Sequence, residues 1–123
     1  MSEIRKHYFL CEYCIIAKER AKRPSDFAVA SGGSGKNGSG NCVFCEGNEE
    51  KTPPATAVYK NGEIFADTGE KRISGWDFRC FPNLYPALSP FSTLPESREK
   101  DPEVIPGFGF HEVIVESPVH GKR

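Results

Sequence analysis

Apolar residues along this chain come in short runs rather than at helical spacing. Tyr8 to Ile16 is dense in aromatic and β-branched residues and too short for a convincing helix, so it reads as a strand. Val58 to Ala66 carries Asn61-Gly62 between Tyr59-Lys60 and Ile64-Phe65, the dipeptide that favours a tight hairpin turn. Trp76 to Phe81 reads as a further strand, running into Pro82-Asn83-Leu84-Tyr85-Pro86, where two prolines fix an extended or turning backbone. His111 to Ser117 is the last strong element, stopped by Pro118.

The remaining segments are connections. Lys18 to Arg23 is a basic cluster closed by Pro24. Ser31 to Gly40 holds five glycines and three serines, a composition that predicts a flexible loop. Pro90 to Pro106 is polar and proline-rich and reads as a loop. No internal repeat is present, and the whole is β-rich. The final strand stands close to the end of the chain, where a sheet still needs elements to cover it. The expectation is therefore the front part of something longer.

With 123 residues, 37% of them hydrophobic, the chain has material for one core at most. Sixteen Lys and Arg against seventeen Asp and Glu leave a net charge of −1, which provides no global field for a nucleic acid; any phosphate has to be held locally. No run of eighteen apolar residues suits a membrane span, and the N-terminus lacks the apolar stretch of a secretory signal. Five cysteines, four of them in two Cys-x-x-Cys pairs, suit metal or redox chemistry in a reducing compartment better than a secreted disulfide framework.

Cys42 and Cys45 carry the sharpest chemical signal. Two thiolates two residues apart in a turn can occupy two vertices of one zinc tetrahedron, and Gly47 suits a tight knuckle. One completion uses Cys11 and Cys14, giving a zinc ribbon with spacing Cys-x2-Cys-x27-Cys-x2-Cys. Against it, positions three apart on a strand face opposite sides, and these two thiols read better as buried small hydrophobes, as does Cys80. The other completion uses His120, placed after a Pro-stopped strand where its ring can turn into a neighbouring loop. A histidine in such a place is also commonly a plain surface residue. His111 reads as a packed or hydrogen-bonding residue, sharing a face with Val113 and Val115. Arg20 and Arg23 concentrate forked donors suited to phosphate oxygens, or form a solvated basic turn. Asn83 and Tyr85 stand on a rigid turn that could read a base or ribose, although Tyr85 could equally cap the core.

Taken in order, several motifs resemble the N-terminal part of the galactose-1-phosphate uridylyltransferase family. They are Ile4-Arg5-Lys6, Ile15-Ile16-Ala17 with Glu19 to Pro24, Cys42 to Glu49, Thr52-Pro53-Pro54-Ala55, Arg79 to Leu88, and His111 to His120. The Gly107-Phe108-Gly109-Phe110-His111 lead-in resembles archaeal and plant-type members, among them ADP-glucose phosphorylase. The resemblance implies an α+β fold of the histidine-triad superfamily, an antiparallel half-barrel of which residues 1–123 supply part of the first domain. It implies a structural zinc on Cys42, Cys45 and His120, with a fourth, histidine ligand beyond Arg123. It implies substrate contacts from Phe44, Asn83, Leu84 and Tyr85, and from Arg20 and Arg23 reaching phosphates in a neighbouring subunit, hence a homodimer or completion by a C-terminal half; the cytoplasm is the compartment expected from the sequence itself.

The activity so implied moves UMP from UDP-glucose to galactose 1-phosphate through a uridylyl-histidine, as in galactose metabolism. A nucleotide-sugar phosphorylase with phosphate as acceptor is the alternative on the same fold, and a non-enzymatic zinc-ribbon module is the alternative from another class. The family's nucleophile belongs to a His-x-His-x-Gln motif. His7, His111 and His120 do not stand in one, so the isolated chain is expected to be inactive.

Overall fold

The computed structural model describes residues 2–23 and 42–121. The Gly/Ser segment 31–40 lies outside the described residues. Among them, seven short strands follow in chain order: β1 (Ser2–Lys6), β2 (Tyr13–Ala17), β3 (Ala57–Lys60), β4 (Glu63–Phe65), β5 (Phe78–Pro82), β6 (Val104–Pro106) and β7 (Glu112–Val115). One helical turn, α1 (Glu96–Glu99), precedes β6, and tighter 3-10 turns occupy Lys18–Lys22 and Glu49–Lys51. All strand pairings are antiparallel, in two sheets ordered β2-β1-β6 and β4-β3-β5-β7. This sheet-rich, antiparallel character agrees with the α+β, β-rich expectation.

Two compact units are formed, one from residues 2–23 and 85–111, the other from residues 42–84 and 112–121. In the first unit, Ile4 of β1 lies opposite Ile15 and Ile105, and Arg5 opposite Cys14 and the buried Val104. Ser2 is buried too, its hydroxyl bonded to Gly107 O and Ser92 Oγ. A Cβ on Gly107 would stand 2.8 Å from the Ser2 carbonyl carbon, so only glycine allows that approach.

Two sequence expectations are corrected in this unit and one is met. The strand foreseen over Tyr8–Ile16 begins only at Tyr13, because residues 8–11 form the hairpin tip. His7 donates its backbone N–H to Glu12 O at 2.8 Å, and its Nδ1 accepts the N–H groups of Phe9 and Leu10 at 3.1 and 3.2 Å. Local turn chemistry thus overrides β-forming composition, leaving Tyr8 and Phe9 85% and 92% exposed. The loop foreseen over Pro90–Pro106 contains α1 and β6. His111 lies just before β7, and its Nδ1 accepts the Ala87 N–H at 2.9 Å, the hydrogen-bonding role its position suggested.

In the second unit Asn61 and Gly62 both take left-handed backbone, φ 52° and 81°, closing the β3–β4 hairpin as the Asn-Gly pair predicts. Inward positions of β3 and β5 supply Val58 and Phe81, which pack with Ala55 and Trp76 into the buried apolar cluster; Ile73, Val113 and Val115 cover it. The foreseen strand Trp76–Phe81 is displaced to Phe78–Pro82, with Trp76 entering the core just ahead of it.

Arg79 is also fully inside this cluster. Its guanidinium lies 2.9 Å from Asp67 Oδ2, donates to Thr52 Oγ1 at 3.1 Å, and sits over the rings of Trp76 and Phe81 at 5.8 and 5.2 Å. Burial acts to raise the Asp67 pKa. The Ala55 and Ile73 N–H groups and Arg79 outweigh it and hold the carboxyl below the ordinary aspartate range.

Candidate metal centre

Residues 42–51 fold into a knuckle by local hydrogen bonding. Cys45 N–H donates to Cys42 O at 3.3 Å, Asn48 N–H to Cys45 O at 3.1 Å, and the Asn48 side-chain amide returns to Cys42 O at 2.7 Å. Gly47 has φ 91°, a conformation open to glycine at little cost.

The end of β7 supplies the third group. Pro118 O accepts the Glu46 N–H at 3.3 Å, laying the chain after β7 along the knuckle. Ser117 Oγ accepts the Val119 N–H at 3.2 Å, a local turn that swings His120 inward. His120 Nδ1 then stands 3.3 Å from Cys45 Sγ, and ligand atoms of Cys42, Cys45 and His120 all lie within 4.8 Å of one another. Among the described residues this is the one group of three or more metal-ligating side chains so placed.

Two thiols and an imidazole make a soft donor set, and zinc would hold such atoms about 3.5–3.8 Å apart around a tetrahedron with metal–ligand bonds of ~2.0–2.3 Å. The observed Sγ–Nδ1 spacing is close to that value, so the residues fit a metal ion. Burial, and then the neighbouring Cys42, push the Cys45 thiol up from its ordinary pKa, and a bound cation would favour the thiolate.

Around the knuckle, Phe44 lies with its ring 6.2 Å from Phe81 at 20° in a stacked arrangement. With Val113, Val115 and Val119 it lines a surface depression of about 380 Å³. Asn83 follows β5 directly and is half-buried, while Leu84 is exposed. Tyr85, Arg20 and Arg23 belong to the other unit. There Arg20 donates through Nη1 to Tyr85 O at 2.9 Å, and Arg23 closes the 3-10 turn, its backbone N–H bonded to Arg20 O at 3.1 Å.

Cys11 and Cys14, expected to be buried, are both exposed: Cys11 lies in the hairpin tip, and Cys14 lies on β2, an edge strand whose first three residues are exposed. Neither belongs to a metal-ligating group among the described residues. Cys80 is half-buried; it lies opposite Ile114 in the sheet and its thiol donates to Glu112 Oε2 at 3.4 Å. Sequence reading missed Glu49 and Asn48, which shape the knuckle. Asn48 acts within the knuckle and stood next to its glycine, whereas the role of Glu49 depends on a partner 27 positions away.

No protein-family model matches the chain. Over 122 residues, 96% of its length, it is 37% identical to an ADP-glucose phosphorylase from Arabidopsis thaliana, and it spans 31% of that relative. Among solved structures it is similar to a galt-like protein from Arabidopsis thaliana, with 34% identity over 68% of this chain and 22% of that one, at a TM-score of 0.42. It is also similar to the Arabidopsis thaliana ADP-glucose phosphorylase solved with bound ADP-glucose, with 32% identity over 100% of this chain and 30% of that one, at a TM-score of 0.43. Its homologues thus lie in the galactose-1-phosphate uridylyltransferase-like, histidine-triad superfamily.

Proposed function

We propose that this chain is the metal-knuckle and nucleotide-contacting segment of a nucleotide-sugar phosphorylase, an enzyme that moves a nucleoside monophosphate from a sugar nucleotide such as ADP-glucose to inorganic phosphate. The observation that carries this reading is the 37% identity to ADP-glucose phosphorylase along 96% of the chain. It favours phosphate as acceptor and adenine as base over the galactose 1-phosphate and uridine that the motifs first suggested.

In this chemistry a histidine nitrogen attacks the α-phosphorus and the P–O bond to the departing sugar phosphate breaks. A phosphate oxygen then attacks the same phosphorus, the N–P bond breaks, and a nucleoside diphosphate leaves. The three histidines of this sequence, His7, His111 and His120, stand outside any His-x-His pair, so none is assigned as nucleophile.

The residues present serve binding. Cys42, Cys45 and His120 would hold zinc, which closes the knuckle and takes no part in phosphoryl transfer. Phe44, resting on Phe81, offers an apolar face to a base, and Asn83 with Leu84 borders it along the chain. Arg20, Arg23 and Tyr85 are assigned to the phosphate and ribose of a site shared between subunits of a homodimer. Among the described residues no helix is long and apolar enough to cross a membrane. A cytoplasmic site of action is part of the same reading.

The test is an amide NMR titration of the zinc-loaded chain with ADP-glucose, and separately with UDP-glucose. The reading expects shifts centred on Phe44, Asn83 and Leu84, larger at equal concentration for ADP-glucose, and no covalent nucleotide adduct by intact mass. Larger shifts with UDP-glucose return the assignment to uridylyl transfer. Shifts with neither remove the nucleotide reading, and a stable adduct overturns the reading that none of these three histidines is the nucleophile.

A further inference from the structure

We propose that Glu49 and Trp76 form a positioning pair that holds the Cys42–Cys45 turn in its metal-binding shape, so that metal affinity depends on a carboxylate that touches no metal. The proposal rests on Cys42, Cys45 and His120 being the ligands, and extends that reading to what fixes them.

The Gly47 N–H, two residues after Cys45, donates to both oxygens of Glu49, at 3.0 and 3.1 Å. The same carboxylate accepts the Trp76 indole N–H at 2.8 Å from 27 positions away. Trp76 is 2% exposed and belongs to the apolar cluster, so the far end of this link is a packed ring rather than a solvated loop. Glu49 is itself 7% exposed, and a carboxylate so buried is tolerated only when donors surround it. Those donors come from the knuckle on one side and the core on the other. The knuckle backbone is thereby pinned next to the left-handed Gly47 that turns the chain away from the ligands.

Partners outside the ligand set commonly control affinity by orienting the ligands. Here the control passes through a backbone amide. A purely structural Glu49 would matter equally with or without metal, and that difference is measurable. Trp76 is the chain's one tryptophan, so its fluorescence also reports the state of the link.

The experiment titrates the reduced, metal-free chain with Co2+, then displaces it with zinc, following thiolate-to-cobalt absorption and Trp76 emission. Zinc affinity is expected to fall about 10–100-fold in Glu49→Ala. Glu49→Gln, which keeps one acceptor oxygen, should recover part of it. Trp76→Phe, which keeps a ring but loses the N–H, should also weaken zinc. Circular dichroism of the metal-free variants should match the parent. Unchanged zinc affinity in Glu49→Ala, or in Trp76→Phe if Glu49→Ala does not fold, overturns the proposal alone. A parent chain that shows no thiolate-to-cobalt band overturns the ligand assignment and the proposal with it.

Discussion

Cys45 Sγ and His120 Nδ1 lie 3.3 Å apart although 75 positions separate them in the chain. The Cys-x-x-Cys turn and the loop after β7 converge because Glu46 and Pro118 share a backbone hydrogen bond and Ser117 turns Val119. Two sulfurs and one ring nitrogen so converged form a donor set that suits a bound cation.

Removing a ligand should therefore remove the metal. Cys42→Ser, Cys45→Ser and His120→Ala are each expected to lower bound zinc, measured by elemental analysis after gel filtration, to a small fraction of the parent value. Cys11→Ser and Cys14→Ser should leave it unchanged, since both thiols are exposed and lie in the other unit. Zinc lost on changing Cys11 or Cys14 would restore the ribbon arrangement.

The Asp67–Arg79 pair predicts both a mutational and a pH effect. Asp67→Ala leaves a buried guanidinium without its counter-charge and should cost about 3–5 kcal/mol in urea unfolding. Because Asp67 is held below its unfolded pKa, its contribution is fully present above about pH 4 and is lost as pH falls through the lower folded value. The charged groups facing it are Arg79 and Arg72. Denaturation midpoints measured from pH 6 down to pH 3 should fall in the parent and stay flatter in Asp67→Asn. Parallel curves would contradict this assignment.

At the β3–β4 hairpin, Gly62→Ala places a Cβ on backbone with φ 81°. Nothing lies within 4 Å of that Cβ, so any loss is backbone strain rather than a clash, roughly 1–2 kcal/mol. Thermal melts of Gly62→Ala beside Glu63→Ala separate the effect from ordinary surface change.

The aromatic hairpin tip predicts the opposite outcome. Phe9 is 92% exposed, so Phe9→Ser should shift stability by no more than about 0.5 kcal/mol, whereas Phe81→Ala, inside the core, should cost about 3–5 kcal/mol.

What the sequence reveals about this fold divides by range. The Asn61-Gly62 turn and the cysteine knuckle were legible because their chemistry is complete within a few residues. The alternating Val113 and Val115 marked β7 for the same reason. β1 was not legible: Ser2–Lys6 is a strand because it pairs with β2 on one side and with the distant β6 on the other, and its first hydroxyl reaches Gly107 O, 105 positions away. Tyr8–Leu10 misled because β-forming side chains say nothing of a histidine that caps its own turn. In the metal centre, the residue types at 42, 45 and 120 were readable. Glu49 was not, since its role depends on where Trp76 packs.

X-ray absorption at the zinc edge tests the central claim most directly. The zinc-loaded chain should show two sulfurs at about 2.3 Å with nitrogen or oxygen at about 2.0 Å, and should lose the sulfur shell in Cys42→Ser/Cys45→Ser. A shell of four sulfurs, or one with no sulfur, would contradict the account.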